Sequence, residues 1–223
     1  MIRRLFTDIS GVYDRMNRIL SLGLDLTWRR KAAALVRDEP RRILDLACGT
    51  GDMAFALAER FPAAEIVGVD LTPAMLELAR QKNRSQRISF REGDVQSLQT
   101  SPGDFDLASC AFGFRNFPDK AAALSAARRA LKPGGQLLVL EFFRSEHVVL
   151  SFLTSIWLFL LANVFARRKA SAYAHLRRSM RTTLTAREFI ALAESFGFRL
   201  LCSKRCFPCT WILFAQRAGR PLS

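Results

Sequence analysis

The sequence predicts an α/β protein with a doubly wound, mostly parallel sheet of seven strands. From Arg42 onward, short apolar segments alternate with helical segments, which is the rhythm of βαβ units. The apolar segments are nearly continuous, as expected of strands that helices cover on both faces. Two further strand-like segments follow the last predicted helix, and they are expected to close the sheet as a hairpin.

The individual elements follow from local patterns. The first five strands are predicted at residues 42–49, 64–71, 87–95, 105–112 and 136–143, and the hairpin at 199–206 and 210–217. The helices are predicted at residues 52–61, 73–84 and 119–131, with one or two more in residues 1–38. The sequence KPGG, residues 132–135, is expected to turn the chain into the fifth strand. A last helix begins at the capping residue Thr185 and ends at Gly197.

Composition and charge limit the range of functions. The 223 residues, half of them hydrophobic, suit a single domain, residues 1–223, in which residues 1–38 form a helical cap. The first residues include arginines but no apolar run, so no secretion signal is predicted and a cytoplasmic location is expected. Five cysteines are expected to be free thiols. The net charge of +14 is typical of a protein that meets nucleic acid or an anionic membrane surface, or of an arginine-rich proteome.

A glycine-rich loop follows the first predicted strand. Gly49, Gly51 and Ala54 have the spacing that opens a Rossmann unit, in which glycines let the backbone approach a ligand at a helix N-terminus. Asp70 ends the second strand, where a carboxylate binds ribose hydroxyls. These features alone fit a nicotinamide cofactor and S-adenosylmethionine equally well.

Three further motifs favour S-adenosylmethionine. Asp45, four residues before Gly49, completes a D-x-x-x-G-x-G pattern that resembles class I methyltransferases. Asp94 ends the third strand and resembles the carboxylate that accepts a hydrogen bond from the adenine amino group in that superfamily. The segment LKPGGQLLVLE, residues 131–141, resembles the closing motif of the superfamily. Four motifs in this order indicate a class I, Rossmann-like, S-adenosylmethionine-dependent methyltransferase.

The segment AFGFRN, residues 111–116, ends the fourth predicted strand. Ligands of open α/β sheets bind outside the carboxyl ends of the strands, so Arg115 is expected to face the reacting groups. SCAFGFRNFPDK, RRALKPGGQLLVLEF and VYDRMNRILSLGLDLTWRR together resemble the ubiquinone/menaquinone biosynthesis C-methyltransferase family, over nearly the whole chain. YAHLRRSM, residues 173–180, resembles the tyrosine-containing helix of that family, with His175 in place of its second aromatic residue.

The resemblance implies transfer of a methyl group from S-adenosylmethionine to a ring carbon of a prenylated quinol, with demethylmenaquinol favoured over the ubiquinone precursor. A ring carbon becomes nucleophilic when the neighbouring hydroxyl ionises, and a phenol pKa of about 10 leaves little phenolate at neutral pH. Arg115 is therefore predicted to stabilise the quinolate electrostatically. Asn116 is predicted to orient the quinol oxygen or a water, and Tyr13 to close over the cofactor or bind the substrate.

The resemblance also implies the ligand contacts. The cofactor-binding residues are expected to be Asp45, Gly49, Thr50, Gly51, Asp70, Leu71, Asp94, Val95 and Ala111. The substrate is expected to meet Phe112, Tyr173 and His175. No metal site is predicted, because the sulfonium is already an activated electrophile. Two positions depart from the family: Ala111 replaces a serine, and Phe214 replaces a histidine near the end of the chain.

Two segments have competing interpretations. Residues 148–166 are nineteen uncharged residues followed by Arg-Arg-Lys, and we expect residues 148–184 to form an apolar lid on the inner face of the membrane rather than a span. Cys202, Cys206 and Cys209 have the spacing of the iron–sulfur motif of radical S-adenosylmethionine enzymes, but that motif belongs early in a barrel. The expected partners are the quinol, the membrane surface and, as an option, a second copy in a homodimer.

Three other functions fit the same fold. Methylation of a phospholipid amine would keep the cofactor site, but the sequence FGFRN argues against it. Methylation of RNA would use the basic surface, although the sequence contains no recognisable RNA-binding module and nucleic acid is not an expected partner. A protein that binds the cofactor without catalysis would carry the same motifs, and loss of methyl transfer in Arg115→Ala with cofactor affinity retained would argue against it.

Overall fold

The computed structural model describes residues 2–144, 178–179, 182–206 and 210–217. Residues 148–177 of the predicted lid, which include Tyr173 and His175, lie outside these ranges, as does Cys209. Within the described residues, no helix is both long enough and apolar enough to cross a membrane.

Seven strands of the described chain form one sheet. They are β1 (Arg42–Leu46), β2 (Glu65–Asp70), β3 (Ile88–Glu92), β4 (Phe105–Ala111), β5 (Leu131–Phe142), β6 (Phe198–Cys206) and β7 (Thr210–Arg217). The strand order is β3-β2-β1-β4-β5-β7-β6, and the first five strands in the chain are parallel. The closing hairpin is antiparallel, and its second strand pairs with β5. The predicted mostly parallel, seven-stranded sheet is confirmed.

Helices pack against the sheet in two separate core clusters. The helices are α1 (Ile2–Leu20), α2 (Leu24–Ala33), α3 (Asp52–Arg60), α4 (Pro73–Lys82), α5 (Lys120–Ala130) and α6 (Ala186–Ser195). One cluster joins α2, α3 and α4 to the sheet and includes Trp28, Leu57 and Leu76. The other joins α5 and α6 to the sheet and includes Leu124 and Phe189. Two clusters of this kind are what a doubly wound α/β fold requires.

The last helix begins and ends as the sequence predicts. The backbone N–H of Glu188 donates to Thr185 Oγ1 at 3.1 Å, and the backbone N–H of Thr185 donates to Glu188 Oε2 at 2.7 Å. This reciprocal pair is a capping box, which satisfies two N–H groups at the start of α6. Gly197 follows the helix with a left-handed φ of 74°, a conformation that commonly ends helices.

The start of β5 differs from the prediction. The strand begins at Leu131, which pairs with Phe105, so the expected KPGG turn lies inside the strand. The register then shifts before Leu107 pairs with Gln136. Gly134 has a φ of 79°, which glycine adopts without steric conflict. Residues 132–135 have no partner in β4, so KPGG interrupts the pairing and redirects the chain as predicted, although the strand begins five residues earlier than expected.

Helix α1 lies apart from the two core clusters. It packs on α4 through a small third cluster formed by Ile9 and Met75, with partly buried Leu5, Phe6, Tyr13 and Met16 around them. The chain turns between α1 and α2 through two successive left-handed residues, Leu22 and Gly23. The predicted helical cap is thus two helices, and only α2 belongs to a large core.

Candidate cofactor and substrate site

A cavity of about 440 Å³ opens at the carboxyl ends of the parallel strands. Its walls come from the loops after β1, β2, β3 and β4 and from one face of α1. The residues that line it are Arg3, Phe6, Tyr13, Ala47, Gly49, Asp70, Leu71, Thr72, Met75, Gly93, Asp94, Val95, Gln96, Ala111, Phe112, Gly113, Asn116, Phe117 and Pro118. The volume falls in the range of small-molecule and cofactor sites, roughly 300–1,000 Å³.

The cavity lies at the point where the strand order reverses. Strand β1 has β2 on one side and β4 on the other. The connections that follow β1 and β4 therefore run to opposite sides of the sheet, and a crevice remains between the loops at the ends of these two strands. Both loops begin with a non-glycine residue in the left-handed region, Ala47 with φ 53° and Phe112 with φ 58°. A Cβ on Gly113 would lie 2.7 Å from the Cβ of Ala47, so a glycine is required where the loops touch.

The glycine loop is held to the end of β2. The backbone N–H of Gly49 donates to Asp70 Oδ2 at 2.8 Å, and that of Thr72 donates to Asp70 Oδ1 at 2.8 Å. Gly51 precedes α3 with φ 88°, and a Cβ there would meet the Phe55 ring at 2.9 Å. The loop conformation therefore depends on both glycines and on the carboxylate of Asp70.

Two carboxylates in the cavity wall can accept hydrogen bonds from a ligand. Burial raises the pKa of Asp70, while the backbone N–H groups of Thr72 and Gly49 lower it. Asp94 begins the short 3-10 helix Val95–Ser97 and accepts from the backbone and side-chain nitrogens of Gln96, at 2.9 and 3.1 Å. Each oxygen of Asp70 accepts one of these bonds and keeps a second lone pair, whereas both of these bonds to Asp94 go to Oδ1 and leave acceptor capacity on Oδ2. Ribose hydroxyls and an adenine amino group therefore both fit this wall.

Asp45 lies beneath the glycine loop and does not line the cavity. Its side chain is fully buried, and Ser109 Oγ donates to its Oδ1 at 2.7 Å. Its Oδ2 has no hydrogen-bond partner among the described residues. Burial raises the pKa of Asp45 to about 7, although the hydrogen bond from Ser109 and the nearby Arg29 lower it. The carboxylates that face the cavity are therefore Asp70 and Asp94, and acidic groups in the cavity of a basic protein suit a cationic cofactor.

Thr50 is engaged by α1 rather than exposed to the cavity. Its Oγ1 donates to Asp14 Oδ1 at 2.6 Å, and the residue is 3 % exposed. Lys82 Nζ of α4 donates to Asp14 Oδ2 at 2.9 Å and to Asp52 Oδ1 at 2.8 Å. Arg18 of α1 also pairs with Asp52, at 3.1 Å. The glycine loop and the helical cap are thus joined by charged and hydroxyl groups.

The two polar residues of the β4 loop point in different directions. Asn116 lines the cavity, whereas Arg115 does not. Arg115 Nη1 donates to Glu141 Oε1 at 2.5 Å and to the carbonyl oxygen of Phe112 at 2.8 Å. The guanidinium also lies 5.7 Å from the centre of the Phe142 ring. Its charge therefore faces a buried carboxylate and the backbone of its own loop.

The cavity brings together most of the predicted site residues. Its wall contains Tyr13, Gly49, Asp70, Leu71, Asp94, Val95, Ala111, Phe112 and Asn116. Four predicted residues lie outside the wall: Asp45, Thr50, Gly51 and Arg115. Each of them contacts a residue of the strands, helices or loops that surround the cavity. Sequence reasoning missed Arg3, Phe6, Gln96 and Phe117 in the wall, and Asp14 and Glu141 behind it. A signal for Glu141 was available, since a charged residue in the apolar strand LLVLEF requires a buried partner.

The described residues offer no other obvious reaction centre. Among them, no group of three or more His, Cys, Asp or Glu side chains could hold a metal ion. Cys202 and Cys206 are free thiols on β6, and the third cysteine of the predicted motif lies outside the described residues.

The chain matches the model of the ubiE/COQ5 methyltransferase family over residues 1–205. The curated relatives include demethylmenaquinone methyltransferases of Deinococcus radiodurans and Thermus thermophilus. Each is 50% identical to this chain, over 63% and 62% of this chain and 60% and 64% of those proteins. The matched segments therefore span less than two thirds of these two relatives. The demethylmenaquinone methyltransferase of Thermotoga maritima is 36% identical over 88% of this chain and 87% of that protein.

Solved structures share the fold at low sequence identity. A methyltransferase in complex with the Haloferax volcanii Trm112 methyltransferase activator has a TM-score of 0.71 at 17% identity, covering 96% of this chain and 98% of that one. A SAM-dependent methyltransferase from Thermotoga maritima has a TM-score of 0.68 at 19% identity, covering 96% and 99%. The predicted class I methyltransferase fold is confirmed, and the cofactor of that family is S-adenosylmethionine. The chain belongs to the ubiE/COQ5 methyltransferase family.

Proposed function

We propose that the protein transfers a methyl group from S-adenosylmethionine to a ring carbon of a prenylated quinol, with demethylmenaquinol as the favoured substrate. The observation that carries the proposal is the cavity at the strand-order reversal, which has acidic acceptors on one side and aromatic side chains on the other. The names of the curated relatives favour the naphthoquinol. The ubiquinone precursor is the second candidate, because a Geobacter sulfurreducens relative, 36% identical, is named a ubiquinone/menaquinone biosynthesis C-methyltransferase.

The β2 and β3 ends of the cavity would hold the cofactor. Asp70 would accept hydrogen bonds from the ribose hydroxyls, and Asp94 from the adenine amino group. The apolar side chains of Leu71 and Val95 line the same part of the wall and would contact the adenine ring. When bound, S-adenosylmethionine supplies an electrophilic methyl group on a sulfonium.

The α1 and β4 sides of the cavity would hold the quinol ring. Phe6, Phe112 and Phe117 give this part an aromatic wall, and aromatic side chains favour stacked or edge contacts with a planar ring. Asn116 would hydrogen-bond the quinol oxygen and Tyr13 would close the wall from α1. A phenol has a pKa of about 10 in water, so little quinolate forms at neutral pH. A hydrogen bond donated to the quinolate oxygen stabilises the anion and lowers this pKa.

The surroundings of Arg115 favour a role in positioning its loop over the predicted electrostatic stabilisation of the quinolate. The Glu141 carboxylate lies 2.5 Å from the guanidinium, so it offsets the positive charge that would act on the quinol. The side chain of Arg115 is 9 % exposed and does not line the cavity. We therefore assign Arg115 to the positioning of its own loop.

We also propose that the protein works on the inner surface of the membrane. A prenylated substrate partitions into the bilayer, and a surface with a net charge of +14 is attracted to anionic headgroups. Helix α1, which lines the cavity, carries the exposed residues Arg4, Val12 and Arg15. Sedimentation with vesicles of anionic and of neutral lipids checks this proposal: binding to anionic vesicles that falls with salt is expected, and equal recovery in the supernatant with both lipids would contradict it.

The reaction is tested with labelled S-adenosylmethionine and four acceptors: reduced demethylmenaquinone, the reduced ubiquinone precursor, and the oxidised form of each. We expect label in the reduced naphthoquinol and none in the quinones, because only the quinol can ionise to a carbon nucleophile. Transfer to neither quinol by a protein that binds the cofactor would contradict the proposed substrate class.

A further inference from the structure

Glu141 is a fully buried carboxylate at the carboxyl end of β5. Among the described residues, it accepts three hydrogen bonds: from Arg115 Nη1 at 2.5 Å, from the backbone N–H of Arg115 at 3.0 Å, and from the backbone N–H of Phe142 at 2.8 Å. A buried charge is tolerated only when donors of this kind replace its hydration. Both bonds from Arg115 hold the β4 loop to the neighbouring strand.

The same arginine nitrogen also reaches the backbone of Phe112. Arg115 Nη1 donates to the carbonyl oxygen of Phe112 at 2.8 Å, so the guanidinium bridges Glu141 and the first residue of the loop. The backbone N–H of Phe112 donates to Leu140 O at 2.7 Å. Both backbone polar groups of Phe112 are therefore fixed by β5 and by a side chain that β5 holds.

Phe112 needs this support because its backbone is strained. Its φ of 58° lies in the left-handed region, which a bulky residue rarely occupies. Its ring is 4.8 Å from the Phe142 ring and 6.3 Å from the Trp28 ring, and the Arg29 guanidinium lies 5.1 Å from its centre. Strained residues persist where the surroundings over-determine them, and they are concentrated at functional sites.

The conformation at Phe112 sets the wall that the quinol would meet. Gly113 follows it and passes within contact distance of Ala47 in the glycine loop. The backbone N–H of Asn116 donates to Gly113 O at 3.0 Å, which places Asn116 at the end of the short 3-10 helix Phe114–Asn116. A rotation at Phe112 would move Gly113 and Asn116 together.

We propose that Glu141 is a positioning residue for methyl transfer: acting through Arg115, it holds Phe112 in its left-handed conformation and thereby sets Phe112 and Asn116 in the cavity wall. This inference rests on the proposed function, because positioning matters only for a substrate that meets that wall. It makes Glu141 and Arg115 one unit, and neither side chain touches the substrate.

The chain contains a matched control for this carboxylate. Asp106, at the start of β4, accepts from the backbone N–H groups of Arg41 and Arg42 and from Lys132 Nζ at 2.5 Å. It therefore has the same set of donors, two backbone and one cationic, but its side chain is 27% exposed and it lies at the opposite end of the sheet from the cavity. The substitution Asp106→Asn removes a hydrogen-bonded carboxylate and leaves the residues of the cavity unchanged.

The experiment compares Glu141→Gln with Asp106→Asn in the full-length protein. In Glu141→Gln we expect kcat for quinol methylation to fall about 10- to 100-fold, since small misplacements at a reacting centre have effects of this size. The dissociation constant of S-adenosylmethionine should change less than about twofold, because the cofactor contacts lie on other loops. Asp106→Asn should leave both constants unchanged. Unaltered kcat in a folded Glu141→Gln protein would overturn the proposal.

The pH profile separates positioning from electrostatic catalysis. If Arg115 stabilised the quinolate directly, removing the opposing Glu141 charge would strengthen that effect and move the rise of kcat with pH to lower pH. If the pair only positions the loop, the maximal kcat of Glu141→Gln should be lower than that of the wild type, and kcat should rise with pH over the same pH range. A shift toward lower pH with raised activity would contradict our assignment.

Hydrogen exchange tests the positioning without any substrate. Amides 112–116 should exchange at least about tenfold faster in Glu141→Gln than in Asp106→Asn, because opening of the loop becomes easier. Equal exchange in the two variants would contradict the inference even if quinol methylation were lost. If no quinol is methylated by the wild type while exchange behaves as expected, the proposed substrate fails and the positioning stands.

A double variant guards against a failure to fold. Arg115→Met with Glu141→Met replaces the pair by apolar side chains, and apolar replacement of a buried ion pair often preserves stability. We expect this protein to fold, to bind the cofactor, and to lose about as much kcat as Glu141→Gln alone, because the two residues act as one unit. Wild-type kcat in the double variant would overturn the proposal.

Discussion

The loops after β1 and β4 begin alike and are stabilised differently. Each starts with a left-handed residue, Ala47 or Phe112, and they meet at Gly113. The β1 loop relieves its tight path with glycines and anchors it to one carboxylate, Asp70. The β4 loop keeps bulky residues and is held by a buried ion pair. Under the proposed function, the loop beside the cofactor is nearly all backbone, whereas the loop beside the quinol carries side chains that must be oriented.

The contact between the loops should be the most sensitive point. Gly113→Ala places a Cβ 2.7 Å from the Cβ of Ala47 and 3.2 Å from Cys110 Sγ, so one loop must move. We expect methyl transfer to fall at least about 100-fold, since misplacement of both loops disturbs the cofactor and the substrate together. The free energy of unfolding should fall by about 1–3 kcal/mol, as for other overpacked sites.

Gly11→Ala is the control for this substitution. Nothing lies within 4 Å of a Cβ at Gly11, which is inside α1, so the alanine should be neutral or should stabilise by about 0.5–1 kcal/mol. Steady-state kinetics and chemical denaturation measure both variants. Wild-type kinetics in Gly113→Ala would show that the two loops do not depend on each other.

Asp70→Asn should damage the β1 loop and the cofactor site selectively. An amide has one acceptor oxygen, so one of the N–H groups of Gly49 and Thr72 would face an NH2 group. We expect the dissociation constant of S-adenosylmethionine, measured by calorimetry, to rise about 10- to 100-fold, the equivalent of a lost hydrogen bond to a charged group.

The pH dependence of cofactor binding gives a second result for Asp70. Because burial raises the pKa of this carboxyl, it is protonated at a higher pH than an exposed aspartate. A protonated carboxyl is a poorer acceptor, so affinity should fall as the pH decreases through that pKa. Asp106→Asn serves as the control and should keep wild-type affinity. Unchanged affinity in Asp70→Asn would remove Asp70 from the cofactor site.

Asp45→Asn should change how stability depends on pH. The pKa of Asp45 is raised to about 7 in the folded protein, so between the ordinary aspartate pKa and that value the folded state holds a proton that the unfolded state has lost. By linkage, this group makes wild-type stability fall as the pH rises through that interval. The variant lacks this loss and keeps an acceptor for Ser109. Its Tm relative to wild type should therefore increase from acidic to neutral pH, and a constant difference would contradict the burial argument.

Asp14→Asn should have the smallest effect. It removes an ion pair with Lys82 whose side chains are 36% and 33% exposed, and such pairs contribute about 0–1 kcal/mol. The Thr50 hydroxyl can still donate to the amide oxygen, so Tm should change little. Protease cleavage within α1 should nonetheless become faster than in the control Arg30→Gln, which lies in an exposed pair with Glu59. Equal cleavage would mean that the apolar contacts of α1 hold the cap without Asp14.

The difference between the loops also explains what could be predicted from the sequence. The strand positions, the glycine loop, Asp70 and Asp94 follow from local patterns, because short-range backbone geometry fixes them. Arg115 and Asn116 are adjacent in the sequence, and their opposite orientations depend on Glu141, 26 residues away on the next strand. The pairing of Thr50 with Asp14, 36 residues apart, likewise depends on how α1 packs. The start of β5 at Leu131 could not be predicted, because it depends on one pairing with Phe105 that precedes the unpaired KPGG segment.

The central proposal is that Asp70, at the end of β2 and bonded to the β1 loop, holds the cofactor, whereas the β4 loop orients the quinol. The most direct test measures the dissociation constant of S-adenosylmethionine and kcat for the quinol, at saturating cofactor, in Asp70→Asn and Glu141→Gln. We predict that Asp70→Asn changes mainly the dissociation constant and that Glu141→Gln changes mainly kcat. If both variants changed the same constant by similar factors, the division of roles between the two loops would be wrong.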